Sequence, residues 1–357
     1  MNCVRTPLRL IKWPVCPKRR EPFRSRDSHG AVVRAHELTA TGHQSPHVSL
    51  KSKHMTHLTR ESPWGPLEVF DAHIHFFSHT FFEKVVAQKS GLTVEAASAQ
   101  LGWQMPPASP EQFAEVWVQE LDRHGIAGAA LMASLPGEQS SVLAAARSFP
   151  ERFLPFAMVN PEEWHAEPLD GIRVACLFPA MHRYSVQNAN VQPVFDWAAH
   201  GGRAVFVHCG VLSVGIRAKL GLKSPFDMRY SNPLDLHAVA LEHPTVPFIV
   251  PHFGAGYFRE ALMLADQCPN VYFDTSSSNH WMKYQESHID LRHVLRRTLD
   301  VVGPKRLLFG TDSSFFPRGW NHAIFDEQSK ALYEIGLSAH DAKLIFGHNL
   351  LRIIPPS

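Results

Sequence analysis

Four apolar runs that each end in a metal-competent or proton-transferring side chain constrain this chain more than any other feature. The first, Leu67-Glu68-Val69-Phe70, runs into Asp71-Ala72-His73-Ile74-His75. On a strand, side chains at i and i+2 leave the same face, so His73 and His75 can converge on one point. Two neutral imidazoles at one point suit a divalent transition metal. Val205-Phe206-Val207-His208 and Pro247-Phe248-Ile249-Val250-Pro251-His252 repeat the context, the second leading into the turn Phe253-Gly254-Ala255-Gly256. Arg306-Leu307-Leu308-Phe309-Gly310-Thr311-Asp312 closes the series in a carboxylate. An isolated H-x-H in a chain of 23 His can be incidental, but four such ends in order point to one end of a parallel barrel, where active sites are built.

Between these runs the chain alternates short apolar segments with helical patterns. Helix Pro110 to His124, with Phe113, Val116, Trp117 and Leu121 on one face, precedes a strand at Gly125 to Met132. Helix 138–149 precedes strand Phe153 to Val159, and strand Ile172 to Phe178 follows. Helices 190–200, 233–243, 256–267 and 286–301 precede the runs that end in His208, His252, Asp274 and Asp312. Eight strands with intervening helices predict a single (β/α)8 TIM barrel of the α/β class over residues 67–357.

Charge sets the first 66 residues apart. They hold 12 Lys/Arg against 4 Asp/Glu, a balance of +8, whereas residues 67–357 hold 23 against 29, a balance of −6. The leader carries Lys18-Arg19-Arg20, many Ser, Pro and His, and no sustained apolar period, so it reads as disordered. It lacks the apolar core of a secretory signal. A transit peptide and a translation start at Met55 are the other two readings. No run approaches the roughly 18 apolar residues that cross a bilayer. Five cysteines without a C-x-x-C argue against a disulfide framework and fit a reducing, cytoplasmic setting. Nothing in the barrel segment suggests a nucleic-acid or membrane partner, and assembly into a homo-oligomer stays open.

Period-two parity places His208, Phe206 and Ala204 on the barrel interior and Cys209 toward the helices. It puts Asp312, Gly310 and Leu308 on one face, and His73, His75 and Asp71 together on another.

With these motifs on view, the chain resembles the amidohydrolase superfamily in its amidohydrolase-related branch, which holds aminocarboxymuconate-semialdehyde decarboxylase and several lactonases. The resemblance rests on Asp71-Ala72-His73-Ile74-His75, His208, His252, Gly310-Thr311-Asp312 and the closing Ile345-Phe346-Gly347-His348-Asn349-Leu350-Leu351-Arg352-Ile353. It implies that His73, His75, His208 and Asp312 are the metal ligands and that His252 acts on substrate or bound water; a satisfied core histidine is the plainer reading of His252. Many relatives hold a second metal through a carboxylated lysine or a glutamate on the fourth strand. Here that strand reads Val174-Ala175-Cys176-Leu177-Phe178, which predicts one metal.

Zinc is the default for such a ligand set, with manganese or iron as alternatives. The expected chemistry is hydrolysis of a lactone, ester or amide in a small organic substrate by a metal-activated water. Asp312 takes the proton and His252 polarises the carbonyl or relays a proton. The alternative is a metal-dependent non-oxidative decarboxylase of a small carboxylic acid, and a barrel that binds without turnover is the remaining class. Substrate contacts are expected from Trp103, in an aromatic segment 76–109 that reads as a partly helical cap or as core, and from His182, Arg183 and His280. Arg183 would clamp a carboxylate or make a surface salt bridge.

Overall fold

Strands buried on both faces of a parallel sheet read as near-continuous apolar runs, and eight such runs pair here in sequence order. The computed structural model describes residues 58–355, apart from 165–168 and 277–278. The strands are β1 Phe70–His75, β2 Gly128–Ala133, β3 Phe153–Val159, β4 Val174–Leu177, β5 Ala204–Val207, β6 Phe248–Pro251, β7 Val271–Asp274 and β8 Leu307–Leu308. All are parallel in the order β1 to β8. The ring closes where the chain beyond β8 meets β1: Ala72 donates to the Phe309 carbonyl at 2.8 Å, Asp312 to that of His73 at 3.0 Å, and His75 to that of Ser313 at 2.8 Å. This is the (β/α)8 barrel, with helices between the strands.

Alternation sorts the strand residues into two layers. Met132, Phe156, Cys176, Phe206, Ile249 and Leu308 fill the interior. Ala129, Val205, Val207 and Phe248 face the helices, as does Cys209. The helix Pro110–Arg123 shows why these helices pack as they do. Ser109 caps it through the Gln112 N–H, Pro110 fixes its first turn, and Phe113, Trp117 and Leu121 lie on one stripe against the sheet. Below the barrel the last turns bring Leu350, Ile353 and Ile354 into the interior layer, with Asn349 tied to the Pro304 and Leu307 carbonyls.

Several expectations are corrected. Residues 58–66 belong to the barrel rather than to a leader, since Arg60 pairs with Leu67 and with Asp326, and Trp64 donates to the Leu337 carbonyl. The rest of the leader reading lies outside the described residues. The eighth strand is two residues long, because the backbone beyond Leu308 leaves extended geometry before Asp312, whose φ is +57°. Helix 233–243 is a 3₁₀ turn, Pro233–Leu236, followed by a short α-helix, His237–Glu242. The parity of β1 also fails. Between Asp71 and Ile74 the strand advances three residues while β2 advances two, Ala129 to Leu131. That bulge puts Ala72 and His73 on the interior side in succession and turns Asp71 away from them.

The segment 76–109 forms a cap. Its helices His79–Val86 and Val94–Leu101 pack Phe81, Phe82 and Leu101 against Ile216 and Leu220 from the chain after β5. No helix among the described residues is long and apolar enough to cross a membrane.

Candidate metal centre

The β1 bulge and the bend after β8 bring His73, His75 and Asp312 together at the C-terminal rim. One ligand atom from each lies within 4.8 Å of the others. The imidazole Nε2 atoms are 3.2 Å apart, and Asp312 Oδ1 is 3.2 Å from His75 Nε2 and 3.8 Å from His73 Nε2.

Each imidazole is oriented from behind. His73 Nδ1–H donates to Asp274 Oδ2 at 2.6 Å, and that oxygen also accepts from Ser276 Oγ at 2.8 Å. His75 Nδ1–H donates to Ser134 Oγ at 2.7 Å, whose own hydroxyl goes to the Met132 carbonyl. Both Nε2 lone pairs are therefore left for the centre, the arrangement metal-binding histidines require. Two donors on bonds of about 2.0 Å at tetrahedral corners lie about 3.3 Å apart, so the observed spacing fits a divalent transition-metal ion.

The electrostatics follow from burial and neighbours. Burial pulls the His73 imidazole down, but Asp274 against its Nδ1 outweighs it and raises the group to about 9. Burial holds His75 below the ordinary range in spite of Asp312. Burial alone would lift the Asp312 carboxyl, yet the His75 hydrogen bond and the adjacent His73 keep it well below the usual range. Behind the rim, Asp71 is fully buried and accepts from His73 N, Thr311 N, Thr311 Oγ1 and Trp320 Nε1. It bolts the bulge to the segment that carries Asp312; burial raises its carboxyl to about 6.

His208 and His252 stand beside this group. Both line the same cavity of about 400 Å³ as His75 and Asp312, with ring centroids 5.4 Å apart. His208 is outside the tight three-residue group; its buried Nδ1 has no hydrogen-bond partner among the described residues. Burial, with His252 and His73 adding to it, holds its imidazole well below the ordinary range. Alternation along β6 would send His252 toward the helices. Left-handed backbone at His252 and Phe253, φ +56° and +53°, turns the ring into the cavity instead. Its Nδ1–H donates to the Ser276 carbonyl at 2.7 Å, leaving Nε2 free of that bond.

Of the expected substrate contacts, Trp103 lines the cavity, stacked 4.1 Å from Phe315. The others are not brought there. Arg183 ends a short helix in left-handed backbone, is exposed, and donates to the Pro225 carbonyl at 2.6 Å. His182 is half-buried beside Tyr184 outside the cavity wall, and His280 is exposed on the turn Asn279–Tyr284. Cys176 lies in the interior layer, where burial pushes its thiol well above the ordinary range, and is not part of the metal group. Asp274, Ser276 and Ser134, which hold the imidazoles, and Arg318, which lines the cavity, lie outside the expected site residues. Asp274 had a signal, since its apolar run ends in a carboxylate like the others; Arg318 sits in the loop beyond Asp312 and had none.

A parallel eight-stranded barrel whose rim gathers imidazoles and a carboxylate over a cavity defines a barrel enzyme with a metal-type centre. The chain belongs to the amidohydrolase family, whose model matches residues 70–355. It is 38% identical over 89 residues to Protein fluG of Emericella nidulans, a match covering 24% of this chain and 10% of that protein, so it spans about a tenth of that relative's length. Among solved structures it is similar to 5-carboxyvanillate decarboxylase from Sphingomonas paucimobilis, with a TM-score of 0.51, 14% identity, and 82% and 100% of the two chains covered. It is also similar to a probable 2-pyrone-4,6-dicarboxylic acid hydrolase from Acinetobacter baumannii, with a TM-score of 0.52, 14% identity, and coverage of 81% and 99%. At those identities the likeness is one of fold.

Proposed function

We propose that this enzyme hydrolyses a C–O or C–N bond, in a lactone, ester or amide, of a small organic substrate. The observation that carries the reading is the His73–His75–Asp312 group with both Nδ1 atoms committed elsewhere, opening onto a cavity that His252 also lines. One divalent ion, zinc by the nitrogen-rich donor set with manganese or iron as alternatives, would be held by these three residues with His208, and would supply Lewis acidity and an activated water. Asp312, kept ionised by its two imidazole neighbours, accepts a proton from the attacking water at its carboxylate. His252 works in the opposite sense as an imidazolium, its Nδ1–H on the Ser276 carbonyl and its Nε2–H donating to the substrate carbonyl oxygen as charge develops there or passing its proton to the leaving group. Asp274 and Ser134 hold the two ligand rings in their tautomers, so neither ring has to reorient during turnover.

The test is elemental analysis of the full chain beside Asp312→Ala and His208→Ala, with turnover of dihydrocoumarin and p-nitrophenyl acetate. About one ion per chain, lost in both variants together with hydrolysis, is expected. A chain that takes up no metal when zinc or manganese is added would overturn the reading. Release of carbon dioxide from an aromatic acid without ester or lactone hydrolysis would replace it with the decarboxylase.

A further inference from the structure

We propose that Arg318 is the specificity-determining residue of this cavity and that it selects substrates bearing a carboxylate on a flat, apolar body. The proposal rests on the metal-centre reading for where the reacting bond lies and adds what holds the rest of the substrate.

The cavity wall is aromatic along one side and positively charged along its rim. Phe77, Trp103 and Phe315 form a stacked face, with Trp103 to Phe315 at 4.1 Å and 6° between planes, and Phe77 to Trp103 at 5.8 Å and 14°. Phe77 in turn stacks on the His75 ring at 5.4 Å. This face favours a flat body over a bulky one. Arg217, Lys219 and Arg318 line the cavity, and Asp312 is the one carboxylate among the described lining residues. Once Asp312 is committed to a cation, nothing acidic among the described lining residues balances these three charges, so an anionic ligand is favoured.

Among the three, geometry singles out Arg318. Arg217 spends its guanidinium on structure: Nε and Nη2 donate to the Lys223 carbonyl at 3.0 and 2.7 Å, and Nη1 to Gln88 Oε1 at 2.9 Å. Lys219, on the short helix Gly215–Lys219, is exposed, as Arg318 is, but it is a point charge on a flexible stem rather than a planar fork. Arg318 lies with its guanidinium carbon 4.5 Å from the Phe315 ring centroid, continuing the stacked face. Its Nη2 donates to the Asp312 carbonyl at 3.2 Å and to Ser314 Oγ at 3.1 Å. Nε and Nη1 make no hydrogen bond among the described residues. The fork is thus fixed by two bonds and a ring while keeping donors to spare, which lowers the ordering cost of bidentate carboxylate binding. Because Nη2 holds the main chain of the residue whose side chain completes the metal group, the fork and the centre share one rim.

The test uses the metal-loaded full chain with benzoate as probe and benzamide as its neutral counterpart, read by calorimetry and by quenching of tryptophan fluorescence. Arg318→Ala should weaken benzoate roughly 10- to 100-fold and leave benzamide within about twofold, a factor too small to count as a lost contact. Arg318→Lys should recover part of the loss, and Arg318→Gln, which keeps a donor for the Asp312 carbonyl, should not. Unchanged benzoate affinity in Arg318→Ala would place the carboxylate on the metal and overturn the proposal. Equal loss of both probes, or loss of metal from Arg318→Ala and Arg318→Gln alike, would make Arg318 a structural support and overturn it too. Phenyl phosphate binding more tightly than benzoate would overturn the carboxylate class. Binding is read without turnover, so failure here is distinct from failure of the hydrolase reading.

Discussion

Gly310 packs directly against His73 and its partners Asp274 and Ser276, and substituting it by alanine tests whether Asp274 sets the affinity of the centre. An added Cβ would lie 2.5 Å from Asp274 Oδ1 and 3.0 Å from both His73 Cβ and Ser276 Cβ, where ordinary contact begins at 3.4 Å. Asp274 Oδ1 would have to retreat by about 0.9 Å, the difference between 2.5 and 3.4 Å. That displacement breaks its 2.7 Å bond from the Ser276 N–H and drags Oδ2 from His73 Nδ1. Overpacking of this kind costs about 1–3 kcal/mol of stability, and loosening the partner of a metal-binding histidine costs about 10–100-fold in affinity. Zinc affinity, read by competition with a chromogenic chelator, should fall by that factor in Gly310→Ala and in Asp274→Asn. The double variant should bind about as weakly as Asp274→Asn alone, because both act through one hydrogen bond and are therefore non-additive. A Gly310→Ala enzyme that loses stability in urea yet binds zinc as tightly as the wild type would refute the reasoning, as would full additivity.

Three further outcomes are expected. His252→Gln should lower kcat by about 10²–10⁴ while metal content stays at the wild-type level; retained kcat would return His252 to the status of a core histidine. Glu138 is fully buried, accepts from Ser78 Oγ and Ser134 N, and has its carboxyl raised by burial to about 8. The folded chain therefore keeps a proton that the unfolded chain releases from its ordinary 4.5 upward, so stability falls as pH rises through that window, by at most about 1.4 kcal/mol per unit. Urea midpoints from pH 5 to 8 should be flatter for Glu138→Gln than for wild type, and parallel curves would count against the buried acid. Metal uptake must displace the proton that Asp274 stabilises on His73, whose group is raised to about 9. Zinc affinity should thus climb with pH, by about tenfold per unit, up to that value; a flat profile between pH 6 and 9 would contradict it.

The strands and the polar residues at their ends were legible because burial on both faces leaves an unbroken apolar signature, and in a parallel barrel each run delivers its last residue to the same rim. His73, His75, His208 and Asp312 could be placed at that rim from the chain alone. What periodicity missed are single-residue events. The extra residue in β1 reverses Asp71, and a left-handed turn brings His252 inward; neither changes the average spacing of apolar residues. Arg183 and Arg318 show the limit for loops. Both lie in the loop after a strand, Arg183 six residues beyond Leu177 and Arg318 ten beyond Leu308, but one is spent on the Pro225 carbonyl and the other folds back over Phe315, a difference made by tertiary contacts.

His252, Phe253, Ala255 and Asp312 all hold positive φ without being glycine, a conformation that costs L-residues about 1–2 kcal/mol each. A selection for thermal resilience that ignored activity would be drawn to these positions, since glycine relieves the strain. Ala255→Gly would be a harmless gain, flanked as it is by Gly254 and Gly256, which share its left-handed backbone. The same exchange at His252 or Asp312 would relieve the backbone but remove the imidazole or carboxylate to which the proposed chemistry is assigned, so the rim is where breeding for robustness and breeding for turnover would part company.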